Sequence, residues 1–532
     1  MRSEIFALIV LVIIALVSFL GIIAEINKKY GAEFPTYGGT VREGVIGNPR
    51  FMNPILAQSD ADRDIVSLVY TGLFRYDRSG SLMPVLIENL VISPDGLEYA
   101  VKLKEKLFWQ DGKKITVDDI IFTIGLAKNP LVGSPRRPNW EGVEVEKTDE
   151  RTLKFHLKKA YAPFLENLTL GILPQHIWSK IPPSQMALAE LNTDPVGAGP
   201  YYIKSVGRDS LGSVISVKLS ANKYFALGRP HIKTIVLQFF QDEDAVIKNL
   251  LSRQISAFGA TSPKNTADLE NLGLKITSIR LRRIIAAFLN PSSQKSLAVS
   301  AIRSAINLAT DKKRIVDSVL QGRGEVIDGP LPQGAGSNTA VSHNFNLERA
   351  KEIIGQKEIS FTLTTAKTPE LVKIAELLKE MWMAAGLKVD IKTFAVSDLE
   401  QGVIGPRRYD VFLYGEEVIG ENPDPFAFWH SSQRTYPGYN IALYANSGVD
   451  TLLEKVRVEQ DETKRAALYE KIQNEIKNDL PAVFLFSPHY IYTTPKNLGG
   501  ADIVMINTAS DRFSTVHEWY LKRTYAWKIF LK

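Results

Sequence analysis

The 532-residue chain contains no cysteine. That absence removes structural disulfides, thiolate-ligated zinc and thiol nucleophiles together. It also removes the lipid-modified N-terminal cysteine that holds many exported proteins to a membrane. Histidine is scarce: seven residues are scattered along the chain, with no HExxH and no close pair, so no metal site is expected. No GxxxxGK[ST] occurs, and the nearest string, GRPHIKT at 228–234, lacks the second glycine of a phosphate cradle. No GxSxG occurs either, and no cofactor is expected. Long runs of one charge are missing as well. The net charge is only +6, and the basic clusters are short: Arg136-Arg137, and Arg280, Arg282 and Arg283. A nucleic-acid partner is therefore not expected.

What is present is an ordinary globular balance, 45% hydrophobic and 23% charged, in a chain too long for one core. Two or more domains are expected. The exception is the N-terminus, where IFALIVLVIIALVSFLGIIA (5–24) carries no charge. As a helix this run reaches roughly 30 Å, the thickness of a bilayer's hydrocarbon core. A cleaved secretory signal is the alternative, but its apolar region is usually shorter and ends in an A-x-A-like site. Here Ile22 stands where the first small residue belongs. An uncleaved N-terminal transmembrane anchor, with its linker occupying residues 1–32, is the preferred reading. Flanking charge does not orient it, since Arg2 lies on one side and Lys28 and Lys29 on the other.

The body mixes α and β signals. Thr116-x-x-Asp119 is a capping box opening a helix with Ile120, Ile121 and Ile124 on its buried face. TLKFHL (152–157) alternates as a half-buried strand, with His156 facing outward. Residues 298–322 give two helices, the second capped by Asp311 and ended by Gly322. Next, Ile359, Phe361 and Leu363 alternate, Thr368-Pro369-Glu370 opens a helix, Gly386 stops it, and LKVDIK alternates again. A strand–helix–strand of this length implies a parallel pair with a right-handed crossover. Asp461 caps a helix carrying Leu468, Ile472 and Ile476. The fold class is α/β, in at least two lobes.

In this order the segments resemble family 5 of the solute-binding proteins that feed ABC importers, the peptide- and nickel-binding branch. Tyr70-x-Gly72-Leu73, Pro84-x-Leu86, Ser93-Pro94-Asp95-Gly96 and Trp109-x-Asp111-Gly112 follow that family's N-terminal signature. PVGAGPYYIKSV (195–206), with Ala198 where threonine is usual, Asn222-x-Tyr224, Gly228-x-Pro230, LNPSS (289–293) and RYDVFLYG (408–415) follow in the family's order. The resemblance runs from about 38 to about 500. It implies a two-lobed periplasmic-binding-protein-like fold of the large peptide-binding class, with the ligand enclosed between the lobes. Lobe I would be 33–287 with 485–532 returning to it, lobe II 288–484, and the crossings RRIIAAFLN (282–290) and PAVFLFSPHYIY (481–492).

The function it implies is an extracytoplasmic receptor, monomeric and not an enzyme, tethered to the cell membrane by its N-terminal helix. It would deliver a small peptide ligand to ABC transporter permease subunits. In peptide-binding members an acid in the loop GENPDPFAFWH (420–430) meets the ligand's terminal ammonium, and Glu421 holds that place here. A carboxylate facing an ammonium in a dry cleft is a strong charge-assisted pair. Val418, Ile419 and Gly420 would offer main-chain groups to an extended ligand, with Ser59, Asp60 and Ala61 as a second edge and Phe428 and Trp429 as a pocket floor. The turn Asp424-Pro425 and a core role for the rings compete with that reading. Arg280, Arg282 and Arg283 are read as solvent-facing. An anchored hydrolase using Asp118-Asp119 or Glu416-Glu417 is a rival from another class, and a sensor or a binder of a nickel chelate or sugar is a rival on the same fold.

Overall fold

The computed structural model describes residues 2–332, 334, 345–420 and 423–527. The N-terminal helix α1 (Arg2–Tyr30) leads into the body. Within it, Ile5–Ile26 is long and apolar enough to cross a membrane, and no part of that window is buried by the rest of the chain.

Four further elements organise the molecule around its cleft: strand β1 (Thr40–Ile46), helix α2 (Asp60–Val69), and strands β2 (Arg283–Leu289) and β3 (Val411–Glu417). A fifth, β4 (Ala482–Pro495), is 14 residues long. β2 lies between β3 and β4, antiparallel to both, with Ile285 opposite Gly415 on one side and Phe486 on the other. β4 then runs on to pair with the strand Leu274–Leu281 through residues 489–495. One hydrogen-bonded sheet of 13 strands therefore passes through the whole body.

The apolar cores change along these two strands. One large core draws on residues 41–281 and returns to the chain at 490–519, with Trp109, Trp178 and Trp519 fully buried in it. Two others draw on 284–486 and contain Trp382 and Trp429. β2 and the first residues of β4 are almost wholly apolar because they are covered on both faces, which is why they read as continuous runs.

The sequence patterns map onto this frame by ordinary local physics. Thr116 precedes the helix Val117–Lys128, and Asp119 accepts the Thr116 N–H at 3.0 Å as its half of the capping box. Ser360–Ala366 and Lys388–Phe394 pair in parallel across the helix Pro369–Ala384. Asp311 and Asp461 each accept an N–H from the first turn of their helices. The strand Thr152–Leu157 alternates, and His156 faces Glu146 at its exposed surface.

A charged cluster lies inside the first core. Arg512 donates through Nη1 to Asp64 (2.7 Å), through Nη2 to the same carboxylate and through Nε to Glu43 (2.7 Å); Tyr492 donates to Glu43 (2.8 Å). β1, α2, β4 and the turn Ala509–Phe513 are thereby fastened together. Two carboxylates share one guanidinium in a site closed to water. Burial pushes Asp64 up to about 6 against the pull of Arg512.

Candidate functional site

α2 starts at a capping box. Ser59 Oγ accepts the Asp62 N–H at 3.1 Å, and Asp62 accepts those of Ser59 and Gln58, both at 3.2 Å. Asp62 also accepts from Arg50 (2.6 Å) and Phe51 (2.8 Å), which sets the helix's entry angle. From that start Arg63, Val66 and Ser67 face a cavity of ≈ 200 Å³. Tyr70, Arg75 and Tyr76 continue the same wall, Arg136 closes one side, and Thr508, Ser510 and Asp511 close another. Among the described residues of the second half, Ile419, 46% exposed, lines it.

Charge along this wall is unbalanced. Arg75 donates to the carbonyls of Phe513 (2.6 Å) and Ser67 (3.4 Å), while its Nη1 is buried with no partner among the described residues. Burial draws Arg75 down to about 10, with Asp511 opposing that shift. Arg63 touches the exposed Asp60 at 3.4 Å, and its buried Nε has no partner among the described residues. The Arg136 guanidinium makes no hydrogen bond or ion pair with any described residue. Burial lowers its pKa and the like charge of Arg63 lowers it further, against a weaker pull from Glu417. Asp511 accepts the Asn507 and Thr508 N–H groups (3.0 and 2.9 Å), and burial still holds it above the usual carboxylate range. Among the described residues no group of three or more His, Asp or Glu is placed to hold a metal ion.

The two halves touch across the cleft. Gly420 donates its N–H to Asn507 Oδ1 at 2.9 Å, and Arg282 donates to the same oxygen at 3.0 Å. Gly420 has φ +87°, and a Cβ there would collide with the Glu166 carboxylate, which accepts from Tyr76. Only glycine meets both demands. Tyr161 donates to Asp424 Oδ2 (3.2 Å), Arg457 pairs with that oxygen (3.1 Å), and Ala162 donates to the Arg457 carbonyl (2.6 Å). Asp424 also accepts the Phe426 N–H at 3.2 Å, so one carboxylate both turns the loop and bridges the halves.

The residues singled out from sequence fall in different places. Glu421 lies outside the described residues. Ile419 faces the cavity, but the neighbouring main-chain donors are committed: Val418 N–H to the Arg282 carbonyl (2.9 Å), Gly420 N–H to Asn507. Ser59 and Asp60 are exposed at the cap of α2 and Ala61 is buried beneath it; none of the three lines the cavity, which takes the next turns of that helix. Phe428 is half-buried near Tyr439, and Trp429, 1% exposed, packs on Phe288, Tyr444 and Phe484.

One expectation needs correction. Arg282 is not solvent-facing: it is buried and donates to Gly80 O, Asn507 Oδ1 and Gly334 O, each at 3.0 Å. Arg280 and Arg283 are more exposed and pair with Glu325 and Glu417. Sequence reading missed the cavity arginines, because Arg63, Arg75 and Arg136 come from separate segments. Arg136 was visible only as half of a basic doublet.

Glu416 is buried in β3 beneath the loop. Burial pushes it well above the usual carboxylate range, and its carboxyl faces the Trp429 indole without a well-formed hydrogen bond.

Comparison with known proteins places the chain. Residues 81–440 match the family model described as "Bacterial extracellular solute-binding proteins, family 5 Middle". The oligopeptide-binding protein AppA of Bacillus subtilis is 27% identical over 502 residues, 89% of this chain and 91% of that one. The dipeptide-binding protein of Escherichia coli is 24% identical over 479 residues, 82% of this chain and 87% of its own. The crystal structure of the ABC transporter substrate-binding protein CtaP from Listeria monocytogenes superposes with a TM-score of 0.81 at 25% identity, covering 91% of this chain and all of that one (100%). Bacillus subtilis AppA in complex with a nonapeptide gives 0.72 at 26% identity, covering 92% and 100%.

Proposed function

The chain belongs to family 5 of the bacterial extracellular solute-binding proteins, and from that membership we propose that it captures a short peptide in the cleft and passes it to an ABC permease. The family consists of binding proteins, and no chemistry is assigned to this chain. The lobes we propose are 33–287 with 485–532, and 288–484, hinged at β2 and β4; the change of apolar core near 281–284 and 486–490 supports that division.

One observation carries the reading: the Gly420 N–H points across the cleft and is met by a side-chain amide oxygen of Asn507. An amide oxygen is what the backbone of an extended peptide presents. A peptide lying along 418–420 would take over that donor and release Asn507, adding itself as a strand. Binding and closure are then linked, because the ligand substitutes for a bond that already spans the halves. A cavity of ≈ 200 Å³ is below the usual ligand-pocket range of roughly 300–1,000 Å³, which favours a ligand of few residues. Glu421, adjoining Gly420, is proposed to receive the ligand ammonium. The N-terminal helix is proposed to be the anchor that keeps the receptor at the cell surface.

The test is native mass spectrometry of the full-length protein with a mixture of di- to pentapeptides. Retention of intact peptides is expected. Recovery of peptide fragments would replace the receptor with a hydrolase. Glu421→Gln is expected to weaken a free-amine peptide far more than its N-acetylated form, and equal losses would remove Glu421 from the ammonium role.

A further inference from the structure

Far from the cleft, two distant stretches of the chain meet beside the membrane-length helix. Residues Gly31–Pro35, which follow α1 directly, pair antiparallel with Arg523–Trp527 in a two-stranded sheet of their own. Pro35 stands opposite Arg523 and Gly31 opposite Trp527. The ladder continues into the body. Thr36 donates its N–H to the Lys522 carbonyl at 3.0 Å, and Gly38 donates to that of His231 at 2.8 Å. Tyr520 and Gly499 exchange N–H···O bonds of 3.0 and 2.9 Å. The link between the span and the first core is therefore a hydrogen-bonded ribbon of two strands.

Register sets the depth of that ribbon. The membrane-length window ends at Ile26 and α1 at Tyr30. From Ile26 to Gly31 the helical rise gives about 7 Å, which puts Gly31 at the outer edge of a headgroup layer roughly 5–7 Å deep. The pairing carries Trp527 to the same depth, and the strand approaches the bilayer as it runs from 523 to 527. Its sequence suits the place. From Tyr520 onward, YLKRTYAWKIFLK contains Lys522, Arg523, Lys528 and Lys532 and no acid. Tyr525, Trp527 and Phe530 are interleaved with these cations. Tryptophan and tyrosine concentrate at membrane–water interfaces, and clustered cations bind anionic headgroups. A two-stranded ribbon is marginal in water on its own, so a lipid surface against it would stabilise it.

We propose that the strand Arg523–Trp527 and the residues that follow it bind the anionic headgroups around the span, giving the protein a second attachment to the bilayer. This rests on the reading of α1 as an anchor. The helix alone would retain the protein, so the second contact serves to orient it. A body held at one point swivels and tilts; one held at two points presents its cleft in a narrow range of directions. The contact need not be tight, because the span keeps the strand at a high effective concentration beside the lipid.

Because the chain has no cysteine, a single introduced one carries a nitroxide label at a unique position. The test labels the full-length protein at Ser18→Cys in the span, at Ile529→Cys, or at Leu211→Cys, a site 89% exposed on the first half. Each is placed in nanodiscs of phosphatidylcholine with or without phosphatidylglycerol, and collisions with oxygen and with a water-soluble nickel chelate are compared. In the phosphatidylglycerol discs the oxygen-to-nickel ratio at 529 is expected to exceed that at 211 by about 3- to 10-fold. Combining Lys522→Gln, Arg523→Gln, Lys528→Gln and Lys532→Gln is expected to bring that excess below about twofold at unchanged melting temperature. If position 529 is as wet as 211 while 18 lies in lipid, the second attachment is overturned and the anchor stands. If 18 is wet as well, the anchor falls and the proposal with it. Equal immersion of 529 in the neutral discs would overturn headgroup binding.

Discussion

The two faces of the cleft are held in place by different physics. On one, α2 and the segment 507–514 are fastened by Arg512, which joins Asp64 and Glu43 in a fully buried site. On the other, the stretch after β3 is held by packed rings, prolines and a buried acid, Glu416, that faces the Trp429 indole. A charge lattice has one good geometry and loses heavily when any member leaves. An apolar bed tolerates small shifts at lower cost. The first face is thus suited to present a fixed set of guanidiniums, the second to move over it and stop.

Four experiments break or sharpen that contrast. The largest effect belongs to Arg512→Met, which strands two buried carboxylates and is expected to cost about 3–5 kcal/mol in urea unfolding. A loss below about 1 kcal/mol would mean that the charged wall is no stiffer than the apolar one. Next, Gly420→Ala meets both a positive φ and the Glu166 carboxylate. It is expected to disfavour closure by about 1–3 kcal/mol, read as weaker peptide affinity at unchanged melting temperature.

Third is the pH response of the apolar face. Burial places the folded-state pKa of Glu416 above its unfolded value of 4.5. Its stabilising effect is therefore complete below that unfolded value and is lost as pH rises toward the folded one, at up to about 1.4 kcal/mol per pH unit. Glu416→Gln is expected to flatten that fall in a stability–pH series; an unchanged slope would show that Glu416 holds no proton in the folded protein. The smallest effect is Asp424→Asn. It weakens a partly solvated bridge by about 1 kcal/mol, shifting the open–closed ratio about fivefold toward open in small-angle scattering or single-molecule distance measurements.

The same contrast explains what the sequence disclosed. The parallel unit at 360–394 was legible because its periodicity and caps are local. The crossing strands were legible because burial on both faces leaves an unbroken apolar run. The cavity was not, since its wall assembles from 54–76, 136, 169–171, 419 and 507–514. Asp424 looked like a turn residue, and it is one. Its second partner, Tyr161, lies 263 positions away, where no spacing rule reaches. Arg282 was misread because a basic cluster beside a strand resembles a solvated edge until its carbonyl partners are brought in by folding. The aromatic residues of 426–429 were conspicuous for composition, but composition does not separate a floor from a foundation.

The segment Asn507–Ser514 has a further consequence. It completes the binding wall of the half whose other parts were made hundreds of residues earlier. Because chains fold from the N-terminus as they emerge, the first half must wait for residues 507–514 before this cavity is walled in. A nascent or C-terminally clipped molecule would lack that side of the cavity, however well its earlier strands had formed.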